Sequence, residues 1–110
     1  ELPERAGPHA YLVVAGDRAA EQADGLAEAL RDRLPDLRLI RHCGGGSFKS
    51  QMKRADRSGA AVALILGDDE AAAGEVTWRP LQGGGEQERL ELDAAADRLK
   101  GVIDAAESLG

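Results

Sequence analysis

The sequence is poor in aromatic residues and cysteine, and it has no long apolar run. Aromatic residues make up 3% of the 110 positions, so the core has to be built from alanine, leucine, valine and isoleucine. The single cysteine, Cys43, excludes an internal disulfide. Because no apolar run approaches the ~20 residues of a membrane span, we expect no membrane partner. The length fits one domain.

The first residues, 1–8, do not have the apolar stretch of a secretory signal. They are polar and contain Pro3, Gly7 and Pro8, which is typical of the end of an interdomain linker. We therefore expect residues 1–8 to be a linker and residues 9–110 to form the domain. Without a signal or a cysteine pair, the expected compartment is the cytoplasm.

Positive charge is also scarce, because 14 lysines and arginines face 20 acids and give a net charge of −6. This balance argues mildly against nucleic-acid binding, in which affinity comes from basic side chains. The objection weakens where the basic residues are clustered, so their positions along the chain decide the matter.

Hydrophobic periodicity separates strands from helices along the chain. Short apolar or alternating runs predict strands at 10–15, 37–41, 60–66, 75–81 and 87–92. Spacings of three and four predict three main helices, with Asp17, Ser47 and Asp93 as N-caps and Gly59 at the end of the second helix. Residues 68–73 suggest one short helical turn. The order β-α-β-α-β-turn-β-β-α predicts an α/β fold whose mainly parallel sheet is covered on both faces. A glycine-rich hairpin loop adds at least one antiparallel strand.

The second predicted helix carries a cluster of basic residues. Lys49, Lys53 and Arg57 are spaced by four and fall within about 80° of arc, and Arg54 extends that face. Arg38 and Arg41 on the preceding strand are candidates to join it. The alternative is a solvated helix face balanced by neighbouring acids, since charged stripes are common on surface helices.

Gly44, Gly45, Gly46 and Ser47 precede this helix. Their backbone N–H groups could meet a phosphate with help from the helix dipole. The spacing matches neither a P-loop nor a dinucleotide-binding fingerprint. A turn between strand and helix, with Ser47 as a plain N-cap, explains them equally well.

The same segment resembles a known family. The runs GGGSFKSQMKRADRSGA and LILGDDE are similar to the C-terminal anticodon-binding domain of bacterial histidyl-tRNA synthetases, and GEVTWRPL and GEQERL fit the strands that follow. The first run favours the histidyl enzymes over the prolyl, threonyl and glycyl enzymes that share the fold. Met52, Trp78 and the three glycines at 83–85 depart from the usual pattern, which affects packing and loop shape.

The resemblance implies a three-layer α/β/α fold with a mixed five-stranded sheet, order 2-1-3-4-5, in which strand 4 is antiparallel. It implies binding of the anticodon loop of tRNA(His), with no catalytic residue and no cofactor in this domain. ATP and magnesium would belong to a catalytic domain before the linker. The full enzymes of this family dimerise largely through that part, and the isolated domain is compatible with a monomer.

The resemblance and the basic cluster together give candidate RNA-binding residues, which are Ser47, Lys49, Gln51, Lys53, Arg54, Arg57 and Glu70. The lysines and Arg57 are expected on the RNA backbone, and Arg54 on a phosphate or a base edge unless it pairs with Asp56 or a neighbouring acid. Glu70 could accept a hydrogen bond from guanine or could cap a helix end. Gln51 could bind a base or be an exposed helix glutamine.

The remaining chemistry-bearing residues are expected to be structural. Phe48 and Trp78 are predicted in the core. His9 and His42 lack partners at metal-ligand spacing, so no zinc site is expected. Cys43 has no recognisable catalytic partner and is predicted to be packed.

Three other functions fit parts of the sequence. A receiver domain would place acids after strands one and three, where Asp17 and Asp68 lie, but its later βα units are missing. A small nucleotide- or anion-binding module would use Gly44–Ser47. A synthetase paralogue would keep the fold and use it for protein contacts, which the sequence does not exclude.

Overall fold

The computed structural model of the chain describes residues 8–41, 47–81 and 85–109. It contains nine elements, which in chain order are β1 (Ala10–Ala15), α1 (Asp17–Arg33), β2 (Leu39–Arg41), α2 (Phe48–Ser58), β3 (Val62–Gly67), α3 (Asp68–Ala73), β4 (Glu75–Pro80), β5 (Glu88–Glu91) and α4 (Leu92–Leu109). Three predicted features lie outside the described residues, wholly or in part. They are the expected linker, of which only Pro8 is described, the segment 42–46 with His42, Cys43 and the three glycines, and most of the hairpin loop.

The strands form one mixed sheet of order β2-β1-β3-β4-β5. β1 pairs in parallel with both β2 and β3, whereas β4 is antiparallel to β3 and to β5. The expected strand order and the antiparallel fourth strand are confirmed. The predicted short turn after β3 is a six-residue helix, α3, so the described chain contains four helices.

The two faces of the sheet carry cores of unequal size. On one face, α1 and α4 pack on the strands, and Leu12, Leu64, Leu30 and Leu99 are all fully buried there. On the other face, α2 is the one described helix that packs over the sheet, on a smaller cluster formed by Tyr11, Val13, Ala55, Ala60, Ala63 and Ile65. Alternate strand residues point to opposite faces, which separates the clusters. The scarcity of aromatics is thus met by an aliphatic core, as predicted.

Trp78 is the largest side chain in the bigger cluster. It is 8% exposed, so the predicted core position is confirmed. The guanidinium of Arg98 on α4 lies 5.9 Å from the centroid of its ring, within the range of a cation–π interaction. The same Arg98 forms two hydrogen bonds with Glu88 of β5. These contacts tie α4 to the last two strands.

Two predicted helix caps are wrong. α1 begins at Asp17 with Gly16 as its N-cap, and the amide of Ala19 donates to Asp68 Oδ1 at 3.1 Å instead of to Asp17. α4 begins at Leu92, so Asp93 lies in its first turn, where it pairs with Arg33. In α1 the cap comes from a residue 49 positions away, which local spacing cannot reveal.

Gly16 fits its position for two reasons. Its φ of 130° with ψ of 162° is a conformation essentially restricted to glycine. A Cβ added there would lie 2.2 Å from Asp68 Oδ1.

We predict that Gly16→Ala destabilises the chain by about 2 kcal/mol or more, because the turn is strained and the cap is displaced. Urea unfolding measures this effect.

The matched control is Gly25→Ala in the middle of the same helix. An added Cβ there meets no atom within 4 Å, so this substitution should stabilise the chain by about 0.5–1 kcal/mol. Equal effects of the two substitutions would contradict the account of Gly16.

His9 is buried at the start of β1. Its Nδ1 accepts a hydrogen bond from the Arg38 amide at 2.9 Å, and its Nε2 has no hydrogen-bond partner among the described residues. Burial and the positive charge of Arg38 lower the pKa of His9 below 6.5, against the opposing effect of Asp36. The folded chain therefore favours the neutral ring.

We predict that the free energy of unfolding decreases below pH 6.5. The unfolded chain protonates His9 first, so the stabilisation is complete above pH 6.5 and is lost as the pH falls through the lower pKa of the folded state. Urea unfolding between pH 7.5 and 5 measures the slope. His9→Asn keeps an acceptor for the Arg38 amide and removes the titration, so it should flatten the curve. An unchanged slope in this variant would refute the prediction.

Candidate nucleic-acid interface

Helix α2 is well defined at both ends. Ser47 Oγ accepts a hydrogen bond from the Ser50 amide at 3.1 Å, and Gly59 follows the helix with φ of 83°. Both the predicted N-cap and the predicted glycine end of the helix are confirmed. A phosphate contact by Ser47 stays a prediction, and the adjoining loop at 44–46 lies outside the described residues.

The four basic side chains of α2, Lys49, Lys53, Arg54 and Arg57, are all exposed. Within the described part of the chain, none of the four forms an ion pair. The alternative in which Arg54 pairs with Asp56 is thus absent from this structure. The cluster predicted from spacing is present on the outer side of α2, away from buried Ala55.

Lys49 and Lys53 also line a groove of about 340 Å³ between α2 and the end of β4. The opposite wall carries Arg79, which sequence reasoning missed. Arg79 pairs with Ala63 of β3 and so points to the same sheet face as α2. The groove is also lined by Met52, Asp56, Pro80 and Leu81. We call this feature the basic groove: three cations around a partly apolar surface.

Strand alternation could have placed Arg79. Val76 and Trp78 face the larger core, so Thr77 and Arg79 must face the other way. What the sequence does not give is the distance from β4 to α2, which depends on the strand order.

Arg41 does not join this surface. It pairs with Leu12 in the β1–β2 ladder and therefore faces the larger core, where its Nε lies 2.7 Å from Asp24 of α1. Arg38 and Arg41 were the two candidates to join the basic cluster, and Arg41 lies on the sheet face opposite to α2.

Phe48 is 44% exposed, so its predicted core position is wrong. The helical phase is correct, because Phe48 is seven residues before buried Ala55. However, Phe48 is the first residue of α2, one turn before Gln51, which is the first buried residue of the helix. Phase identifies the side of a helix that faces the sheet, but not how far the helix overlaps it.

Gln51 is 5% exposed, and the expectation of an exposed glutamine is wrong. Its Nε2 donates to the carbonyl oxygen of Val14 at 2.7 Å, and its Oε1 accepts from the Val14 amide at 3.0 Å. The amide group is therefore hydrogen-bonded to the backbone of β1. Base recognition by Gln51 stays a prediction, and these two bonds do not favour it.

Glu70 holds the junction between β3, α3 and β4. Its Oε1 accepts from the Gly67 amide at 3.2 Å and its Oε2 accepts from Thr77 Oγ1 at 2.7 Å. The alternative of helix-end capping is confirmed, while recognition of a guanine stays a prediction. Partial burial opposes ionisation, but the hydrogen bond from Thr77, further backbone bonds and the charge of Arg89 outweigh it and lower the pKa of Glu70.

The described residues include no group of three or more histidine, cysteine or acidic side chains that could hold a metal ion. None of the helices in the described ranges is long and apolar enough to cross a membrane.

Comparison with known proteins identifies the class. The family described as the anticodon binding domain matches residues 9–101, and the chain belongs to this family.

The receiver alternative is excluded, because β3 leads into an antiparallel pair and Asp68 caps α1.

Two histidine–tRNA ligases are similar to the chain. That of Halorhodospira halophila is 60% identical over 98 residues, which cover 89% of this chain and 23% of that protein. That of Aromatoleum aromaticum is 53% identical over 96 residues, covering 87% and 22%. The chain therefore spans less than a quarter of the length of these relatives, and the resemblance to histidyl-tRNA synthetases is confirmed.

Solved structures agree with this assignment. The apo histidyl-tRNA synthetase of S. aureus superposes with a TM-score of 0.75 at 30% identity, over 91% of this chain and 25% of that chain. The histidyl-tRNA synthetase of Nostoc sp. PCC 7120 gives 0.73 at 28% identity, over 86% and 22%. The RNA binding domain of the Cryptosporidium parvum threonyl-tRNA synthetase gives 0.78 at 18% identity, over 86% and 23%, and supports the fold alone.

We predict that Glu70→Gln destabilises the chain by about 1 kcal/mol, because one amide oxygen cannot replace two carboxylate acceptors. Since the pKa of Glu70 is lowered in the folded state, its stabilisation is present above pH 4.5 and is lost as the pH falls through the folded pKa. The variant should therefore lose stability less steeply on acidification, which urea unfolding between pH 6 and 3 measures.

Thr77→Val is the companion variant, because it removes the hydroxyl that donates to Oε2. The pKa of Glu70 should move back towards its ordinary value, so the variant should lose less stability on acidification and the loss should be complete at a higher pH. If neither variant changed the acid limb of the stability curve, the capping role of the ionised Glu70 would be refuted.

Proposed function

We propose that this chain binds the anticodon loop of tRNA(His) as the recognition domain of a histidine–tRNA ligase. The observation that carries the proposal is the basic groove, which lies on a member of the anticodon-binding family whose relatives are histidine–tRNA ligases. The groove is positive although the chain is acidic overall. The basic residues are therefore clustered, which weakens the objection to nucleic-acid binding that the net charge raised.

The groove suits a single-stranded loop better than a duplex. Proteins read such loops by splaying the bases, covering them with apolar or aromatic groups and holding the backbone with cations. Lys49 and Lys53 on one wall and Arg79 on the other can hold phosphates, while Met52 and Leu81 offer apolar surface to a base. Arg54 and Arg57 extend the backbone contacts along the outside of α2.

Two further candidates stay in the proposal with narrower roles. Ser47 has an exposed hydroxyl whose oxygen is already an N-cap acceptor, so it would meet RNA at the start of α2. Glu70 has both oxygens engaged and would accept a guanine hydrogen bond only through a remaining lone pair. Gln51 is not among the RNA contacts that we propose, since its amide group is hydrogen-bonded to the backbone of β1.

The proposal assigns catalysis to another part of the protein. Relatives are about four times longer than the matched segment, and we place an ATP- and magnesium-dependent catalytic domain before a linker at 1–8. That domain would be the main dimer contact, and the cytoplasm is the compartment in which the enzyme would meet its tRNA. A paralogue that uses the same fold for protein contacts is the alternative.

The test is a titration of the 110-residue chain with a stem-loop carrying the GUG anticodon of tRNA(His), with a scrambled loop for comparison. Three or four phosphate contacts on a single strand predict a slope of log K against log salt of roughly −2 to −3. Lys53→Ala should weaken binding and reduce the slope by about 1.

The matched control is Lys100→Ala, an exposed lysine on α4 on the other face of the sheet, which should change neither quantity. Equal or absent binding to the two loops at low salt would overturn the proposal and favour the paralogue alternative.

A further inference from the structure

Gln51 pairs with the backbone of β1 beyond the part of that strand that is paired with β2. Among the described residues, β2 pairs with β1 along Ala10, Tyr11 and Leu12. Val14 lies two residues beyond, and its N–H and C=O are both taken by the Gln51 amide, at 3.0 Å and 2.7 Å. The side chain of Gln51 thus pairs with the backbone of β1 as a neighbouring strand would, and its own amide group is buried there.

The rest of the contact between α2 and the sheet gives little directional information. The helix buries Gln51 and Ala55, with Met52 half-buried, against Tyr11, Val13, Ala63 and Ile65 of the sheet. Hydrophobic attraction between such groups is not directional. A pair of hydrogen bonds to one backbone residue fixes the angle and the height of the helix.

In the sequence, Gln51 lies between two residues of the basic groove, although it is buried against the sheet and they are exposed. Lys49 and Lys53 flank it two residues away on either side, and Arg79 comes from a different element of the fold. The separation of these cations across the groove therefore depends on where α2 sits relative to β1 and, through β3, to β4.

We propose that Gln51 is a positioning residue for RNA binding, which sets the height and rotation of α2 so that Lys49 and Lys53 face Arg79 across the groove. This inference rests on the proposed function and adds to it. Gln51 acts through the lysines and does not touch the RNA.

The first test uses Gln51→Met, which keeps the length of the side chain and removes both hydrogen bonds. We expect affinity for the GUG stem-loop to fall about tenfold and the salt slope to lose about 1, because one lysine leaves its phosphate. We also expect Lys53→Ala to have a smaller effect in the Gln51→Met background than alone, since coupled sites are not additive. A purely structural role would lower the urea midpoint and leave the salt slope and the additivity unchanged.

The second test uses Gln51→Glu, which serves even if the methionine variant does not fold. A protonated carboxyl group has the same donor and acceptor pair as the amide, whereas the carboxylate faces the Val14 carbonyl with no donor. The affinity ratio of wild type to variant should therefore shrink as the pH falls from 8 to 5.5. Because the ratio uses the wild-type affinity measured at the same pH, the titration of His9 and the surface acids cancels. A constant ratio would overturn the inference.

A third measurement separates this inference from the proposed function. Amide hydrogen exchange of the chain without RNA should show faster exchange in α2 of Gln51→Met, at Lys53 and Ala55, with β3 unchanged. If wild type does not bind the stem-loop, the proposed function fails and this exchange result alone decides whether Gln51 positions α2. Unchanged exchange in α2 would overturn the positioning role in either case.

Discussion

The backbone groups left unpaired where β1 and β3 end constrain everything around them. Buried N–H and C=O groups have to be paired, and in this fold three polar side chains satisfy them. Gln51 forms hydrogen bonds with the N–H and C=O of Val14, and Asp68 accepts one from an amide in the first turn of α1. Glu70 accepts one from the Gly67 amide and one from the Thr77 hydroxyl. Each of these contacts joins two different elements, so the same bonds that satisfy the strand ends also fix where α1, α2 and β4 lie.

This constraint explains why functional and structural residues look alike in the sequence. The carboxyl end of a parallel strand is where α/β proteins commonly bind ligands, so a polar residue there suggests chemistry. Gln51, Asp68 and Glu70 invite that interpretation, yet each is held by backbone or by a neighbouring hydroxyl. The proposed RNA contacts lie one layer outward, on exposed side chains of α2 and on Arg79.

Much of the fold could be predicted from the sequence, because its signals are local. The apolar runs placed the strands, and Ser47 and Gly59 marked the ends of α2. The failures are non-local: the cap of α1 comes from Asp68, and the exposure of Phe48 depends on how far α2 overlaps the sheet. The site was half predictable for the same reason. Helical spacing gave the lysines, whereas Arg79 joins them only through strand order.

The uneven distribution of helices also divides the charge of the molecule. α2 carries four basic residues and one acid on its own side of the sheet. On the opposite side, α1 has five acids against three bases, and α4 has four against two. The chain is therefore an electric dipole as well as an anion, and a polyanion approaching it experiences a torque before any contact forms. Orientation is selected during diffusion, and the acidic side repels encounters that present the wrong face.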